Sequence, residues 1–321
     1  MRLVMMGTGP FAVPTFRRLF DTHHTVVALV TGPIKRRGKR VIAVSPMRDV
    51  AHDHGTEIFD PQSINTPEAM ARLAEFKADL HIVCDYGQIL SADCLATARL
   101  GGINLHASLL PKYRGAAPIN WAIYDGEEET GVSVIHMTPR IDAGPVIAQG
   151  RTPIQPDEDA EQLEARLAEI GSWLVSRSID LLEEGNAEAL PQDPALASKA
   201  PRLKKTDGQI DWNRPAEAIR NHIRALIPWP KTYTFWNRTT AADLRMIVGP
   251  VEVVDGPTPD AAPGTVVEAD GDRLIVATGR GCVRLGSLQP AGKRQMEIGE
   301  FLLGYRIRPG DRLGPETSAD A

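Results

Sequence analysis

Ile103-Asn104-Leu105-His106-Ala107-Ser108-Leu109-Leu110-Pro111-Lys112-Tyr113-Arg114-Gly115 begins as an apolar strand, is stopped by proline and bends at glycine. Asn104 and His106 are two residues apart, so in an extended chain both side chains point to the same face. An amide donor beside a titratable ring suits a site where negative charge develops on a carbonyl oxygen. Further along, Asp142 in Arg140-Ile141-Asp142-Ala143-Gly144 can orient that imidazole or take a proton.

The same strand belongs to an alternating series. Leu3–Met6, Thr25–Thr31, Ala78–Cys84, Gly102–Leu105 and Val132–Met137 are short apolar runs, with helical patterns after Pro10 and over Pro67–Phe76. Such alternation predicts an α/β domain with a doubly wound parallel sheet covered on both faces. Pro156 to Glu184 reads as one long amphipathic helix behind the acidic Asp157-Glu158-Asp159. Pro191, Pro194 and Pro201 then mark a linker over 190–206, and a helix is expected over Pro215–Leu226. Beyond it Thr232–Trp236, Leu244–Val254, Thr265–Ala269, Leu274–Thr278 and Val283–Gln289 predict five short strands, with a hairpin at Asp270-Gly271. Five strands after a helix are compatible with a small oligonucleotide-binding-type (OB-like) barrel. The boundaries expected are 1–189, linker 190–206, 207–313 and a disordered tail 314–321.

Composition bounds the functional classes. Lys and Arg number 36 against 41 Asp and Glu, so the net charge of −5 provides no global positive field and any nucleic-acid surface must be local. Three cysteines, Cys84, Cys94 and Cys282, have no metal spacing and suit a reducing compartment. No histidine has partners at ligand spacing, so no metal is expected. His136 lies on the face of Val132 and Val134 and reads as packed rather than catalytic. Met1–Gly7 reads as a first strand rather than a leader, and no apolar run reaches the ~18 residues a bilayer requires. The expectation is a cytoplasmic monomer that does not enter membranes.

Two segments need weighing. Gly7-Thr8-Gly9-Pro10-Phe11-Ala12 fits the Gly-x-Gly-x-x-Ala dinucleotide fingerprint directly after a strand. Yet no acid after the second strand is placed to hold a ribose, and Pro10 removes a backbone donor from the turn. Lys35-Arg36-Arg37-Gly38-Lys39-Arg40 packs five cations into six positions. It is either a solvated loop or an arm for phosphates.

Asn-Leu-His-x-Ser-Leu-Leu-Pro-x-x-Arg-Gly at 104–115, Glu-Thr-Gly-Val-Ser at 129–133 and Ile-Asp-Ala-Gly at 141–144 together closely resemble the folate-dependent formyltransferases. The likeness runs from Gly7 to Lys293 and is strongest to the branch that formylates initiator methionyl-tRNA. It implies a Rossmann-like catalytic domain and an OB-like C-terminal domain, with 10-formyltetrahydrofolate as formyl donor. It further implies Asn104, His106 and Asp142 as the catalytic set. Ser108, Leu109, Leu110 and Pro111 with Tyr86, Gly87, Gln88, Ile89 and Leu90 would wall the folate pocket. Arg36, Arg37, Lys39 and Arg40, extended by Arg202, Lys204, Lys205, Lys293 and Arg294, would meet tRNA phosphates. Asp85 and Arg140 depart from the family's habit of a small apolar residue and a glycine. The alternatives are a formyltransferase for an amino sugar or a ribonucleotide, a nicotinamide-dependent oxidoreductase on the glycine turn, and a non-catalytic RNA-binding protein.

Overall fold

Strand β1 (Arg2–Met6) buries Leu3, Val4, Met5 and Met6 completely, which requires cover on both faces of its sheet. The computed structural model describes residues 1–37, 40–239, 241–256 and 260–317; of 35–37 and 40–43 only the backbone is described. The chain divides into two compact units. Unit 1 comprises Met1–Pro118, Glu129–Pro153 and Gln162–Pro201, and unit 2 comprises Ile119–Glu128, Ile154–Glu161 and the chain from Arg202 onward.

In unit 1, α1 (Val13–Leu19) leads to β2 (Thr25–Val30) and then to the short hairpin β3 (Lys35–Arg37) and β4 (Arg40–Ala43). Next come α2 (Met47–Asp53), β5 (Glu57–Phe59), α3 (Pro67–Glu75), β6 (Leu80–Val83) and α4 (Ala92–Leu95). α3 starts where sequence logic puts it: Thr66 accepts a hydrogen bond from Ala69 N–H and Pro67 opens the first turn. β7 (Gly102–His106) and the two-residue β8 (Arg114–Gly115) carry the central motif. After α5 (Pro118–Tyr124), which from Ile119 on belongs to unit 2, β9 (Glu129–His136) and β10 (Val146–Pro153) form a long hairpin. α6 (Ala160–Glu183) buries Leu163, Leu167, Val175 and Ile179 at the spacing of one helical face. β11 (Lys199–Ala200) then pairs with β8.

The main sheet has the order β10-β9-β7-β6-β1-β2-β5. Its parallel pairs join β5, β2, β1, β6 and β7, whereas β9 lies antiparallel to both β7 and β10. The expected Rossmann-like parallel sheet is thus present, with β9 and β10 added to it antiparallel at one side. The chain between β7 and β9 makes no crossover over the sheet, so β9 returns in the opposite sense. β5 and β10 were not legible as strands, because β5 is three residues long and β10 reads polar over Gln149–Arg151.

In unit 2, α7 (Ala216–Ala225) precedes β12 (Thr232–Asn237), β13 (Leu244–Val248), β14 (Val251–Val254), β15 (Val266–Asp270), β16 (Arg273–Ala277), β17 (Cys282–Leu285), β18 (Ser287–Pro290) and β19 (Met296–Glu297). α8 (Ile298–Gly304) and β20 (Arg312–Gly314) complete it. The five expected strands are present, but two of them break. Leu244–Val254 bends at Gly249-Pro250 and Val283–Gln289 at Gly286, where Gly249 N–H donates to Ser287 O and Gly286 N–H to Pro250 O. The paired strands thus turn together from the sheet β19-β18-β13-β12-β20 into the sheet β14-β17-β16-β15. A bridge between Thr265 and Arg312 joins the far edges, which closes a barrel around Trp212, Met246, Val276, Leu288 and Phe301. The tail expected to be disordered from 314 is tied down further: Gly314 pairs with Phe235, and Thr317 donates twice to Asp243. Residues 318–321 lie outside the described residues.

Candidate active site

Parallel strands β1, β6 and β7 all deliver their C-terminal ends to one edge of the sheet, the usual place for a ligand crevice in an open α/β sheet. Asn104 sits in β7 opposite Val83 of β6, and His106 sits two residues further on. Among the described residues the Asn104 amide has no hydrogen-bond partner, and it is only partly buried. A buried-edge amide without a partner inside the protein is available to a substrate atom.

His106 is 6% exposed, and its Nε2 lies 2.9 Å from the Tyr113 carbonyl. A carbonyl can only accept, so Nε2 carries a proton and Nδ1 is the exchangeable nitrogen. Nδ1 faces Asp142 Oδ1 at 3.7 Å, too long for a direct hydrogen bond but close enough for the carboxylate to stabilise a charged ring. Asp142 is held in turn: its Oδ2 accepts Gly115 N–H at 2.9 Å, and its backbone stands at φ +49. A left-handed non-glycine residue beside an imidazole marks a position the fold pays for. Gly144 tightens the same loop, since a Cβ there would meet His136 O at 1.7 Å. His136 itself is packed, and burial pulls its pKa below the ordinary imidazole value.

The turn after β7 is fixed by side chains that sequence reading did not single out. Ser133 donates to Ser108 O at 2.7 Å and accepts from Leu110 N–H at 3.0 Å. Gln149 donates to Leu110 O and to Ser133, both at 2.9 Å. Ser108 is fully buried and donates to Lys112 O at 2.6 Å. Residues 190–201, read above as linker, run along this turn as a strap. Ser198 accepts Tyr113 N–H through its hydroxyl and Arg114 N–H through its carbonyl. Gln192 accepts from the Arg114 guanidinium and donates to the carbonyls of Asp142 and Gly144. One amide thereby ties the loop carrying Asp142 to the turn beyond His106. No motif signals this, because the strap gains its role only by lying against both.

The other wall divides by function. Tyr86 and Leu90 are packed in the core of unit 1, Tyr86 with its hydroxyl buried and, among the described residues, unpartnered. Gln88 is committed to structure, accepting from Ile64 N–H at 2.9 Å. Gly87, at φ +69, has open space above it, and Ile89 is 62% exposed. Leu109 and Pro111 are partly exposed on the other side, while Leu110 is buried.

Asp85 explains the glycine turn. A Cβ on Gly9 would lie 1.7 Å from the Asp85 carboxylate, so the acid occupies space that only glycine leaves. A dinucleotide pyrophosphate would meet this negative charge at the turn meant to receive it. Asp85 is surface-accessible yet walled by protein, and desolvation pushes its pKa up to about 6, opposed by the Gly9 N–H. In the unfolded chain the group releases its proton near pH 4. The folded protein therefore holds the extra proton between about pH 4 and 6, and stability falls as pH rises through that window. Asp85→Asn should raise Tm by roughly 1–3 °C above pH 6 and change nothing below pH 4. Thermal melts across pH 3.5–8 check this; a variant no more stable than the parent at pH 8 would count against the buried-charge account.

The basic segment is a β-hairpin rather than a loop. Arg36 pairs with Val41 and Arg37 with Arg40, while Lys39 lies outside the described residues. Arg202, Lys204, Lys205, Lys293 and Arg294 are exposed in unit 2, Arg294 already paired with Glu300. No described helix is long and apolar enough to cross a membrane.

Residues 1–179 match the family model for formyl transferase, and residues 202–306 match that for the formyl transferase C-terminal domain. The methionyl-tRNA formyltransferase of Rhodopirellula baltica is 44% identical, covering 98% of this chain and 96% of its own. That of Caldanaerobacter subterraneus is 41% identical over 98% and 100%. Among solved structures, an N-formyltransferase of Helicobacter canadensis in complex with folinic acid and dTDP-3-aminofucose superimposes with a TM-score of 0.67. It is 18% identical over 90% of this chain and 98% of its own, a likeness of fold.

Proposed function

The chain belongs to the formyl transferase family, and we propose that it transfers the formyl group of 10-formyltetrahydrofolate to the amino group of methionine on initiator methionyl-tRNA. It is a one-carbon transferase. The observation that carries the site assignment is the unpartnered Asn104 amide beside His106, with Asp142 facing the ring. We place the enzyme in the cytoplasm, where charged tRNA is, and expect it to act as a monomer.

Features at the C-terminal edge of the sheet support folate binding there. They are an exposed apolar residue at Ile89, open space over Gly87 and backbone groups pinned by Ser133 and Gln149. Bound there, the folate supplies an activated formyl carbon and a nitrogen leaving group. The protein then has three tasks: keep the amine neutral, stabilise the negative charge that grows on the formyl oxygen, and carry a proton from the attacking nitrogen to the leaving one. Asn104 performs the second, donating from its amide. His106 performs the third through Nδ1, because Nε2 is committed to Tyr113. Asp142 stabilises the ring while it is charged and keeps it aimed. This division differs from a direct oxyanion contact by His106, and the Tyr113 bond is the reason.

The test is direct. With 10-formyltetrahydrofolate and charged initiator tRNA, formyl-methionine should form, and calorimetry should show tetrahydrofolate binding without NAD or NADP binding. Saturable dinucleotide binding with no folate binding would transfer the case to an oxidoreductase. Formylation of an amino sugar or ribonucleotide in preference to methionyl-tRNA would move the acceptor to a small amine.

A further inference from the structure

α6 ends at Glu183, and the turn leading into β2 ends in His23 and His24. The fold sets these three residues against one another although His23 and Glu183 are 160 positions apart. Glu183 Oε2 lies 2.6 Å from His23 Nε2, and Oε1 lies 3.8 Å from His24 Nδ1. One donor atom from each residue falls within 4.8 Å of the other two. A tetrahedral zinc ion needs donors ~3.4 Å apart, given bonds of ~2.1 Å. The 2.6 Å and 3.8 Å separations bracket that spacing.

Two further observations point to a cation. His24 has a fully buried side chain whose other nitrogen, Nε2, meets Asp180 Oδ1 at 3.1 Å. A carboxylate on the far nitrogen is how proteins orient metal-binding imidazoles. The Met1 amine also lies between the proposed donors, 3.1 Å from His24 Nδ1 and 2.9 Å from Glu183 Oε1. A positive group is already favoured at that spot. A divalent ion bound by the three side chains takes that place.

We propose that His23, His24 and Glu183 form a site for a divalent transition ion of the zinc class, which clips the turn before β2 to the end of α6. Two imidazoles and one carboxylate favour zinc, nickel or copper over magnesium and calcium. The clip is structural, and it stands independently of formyl transfer, which has no step through it.

The experiment is calorimetric titration of the chelator-treated full chain with Zn²⁺, with Mg²⁺ as control, beside thermal melts and the formyl-transfer rate. One Zn²⁺ per chain should bind and raise Tm by a few degrees, and Mg²⁺ should do neither. His23→Ala changes a ring that is 65% exposed, so it should fold normally and bind Zn²⁺ at least 10-fold more weakly. Asp180→Asn should weaken binding by roughly 10–100-fold. Glu183→Gln should also lose affinity, and kcat should be unchanged in all three. No saturable Zn²⁺ binding, equal response to Mg²⁺, or unaltered affinity in His23→Ala would overturn the proposal.

Discussion

Asn104→Ala, His106→Ala and Asp142→Ala are each expected to lower single-turnover formyl transfer by ~100-fold or more, with Tm nearly unchanged. Among the described residues the Asn104 amide has no partner, so its removal takes a donor from the formyl oxygen and nothing from the fold. Loss of His106 removes the proton carrier. Loss of Asp142 leaves the ring present but neither stabilised nor aimed, and it also frees Gly115 N–H. Because the three act as one unit, the double variant His106→Ala/Asp142→Ala should be little worse than either single one. Gln192→Ala tests the strap: it leaves all three groups in place but releases the Asp142 loop from Arg114, so kcat should fall by only about 10-fold while KM for folate hardly moves. Near-native turnover in His106→Ala would sink the assignment.

Neutralising Arg36, Arg37, Lys39 and Arg40 together is expected to cost affinity for charged tRNA rather than turnover at saturation. Exposed cations contribute little to stability, so Tm should move by about a degree or less. The slope of log K against log salt should flatten by roughly one unit for each phosphate that the variant no longer neutralises. Backbone pairing of Arg36 with Val41 and of Arg37 with Arg40 brings three of these four residues into one hairpin, on a chain whose net charge is −5. Transfer to a small amine acceptor, where measurable, should be spared. An unaltered tRNA affinity at two salt concentrations would reduce the segment to a solvated ornament of the surface.

Local pattern was sufficient for much of this protein. Apolar runs bounded by turns specified β1, β2, β6 and β7, because a strand buried on both faces must be largely apolar. The spacing of Asn104 and His106 put both on one face, and Asp142 stood out by its motif. What sequence reading missed depends on pairing between distant segments. The direction of β9, the breaks at Gly249-Pro250 and Gly286, and the closure of the barrel at Thr265–Arg312 are settled by pairing partners. So are the commitment of His106 Nε2 to Tyr113, the strap through Gln192 and Ser198, and the meeting of His23 and His24 with Glu183. Sequence dictates what a residue can donate, accept or bury within a few neighbours. Which partner it finds tens or hundreds of positions away is decided by packing of the whole chain, since no local propensity encodes that distance.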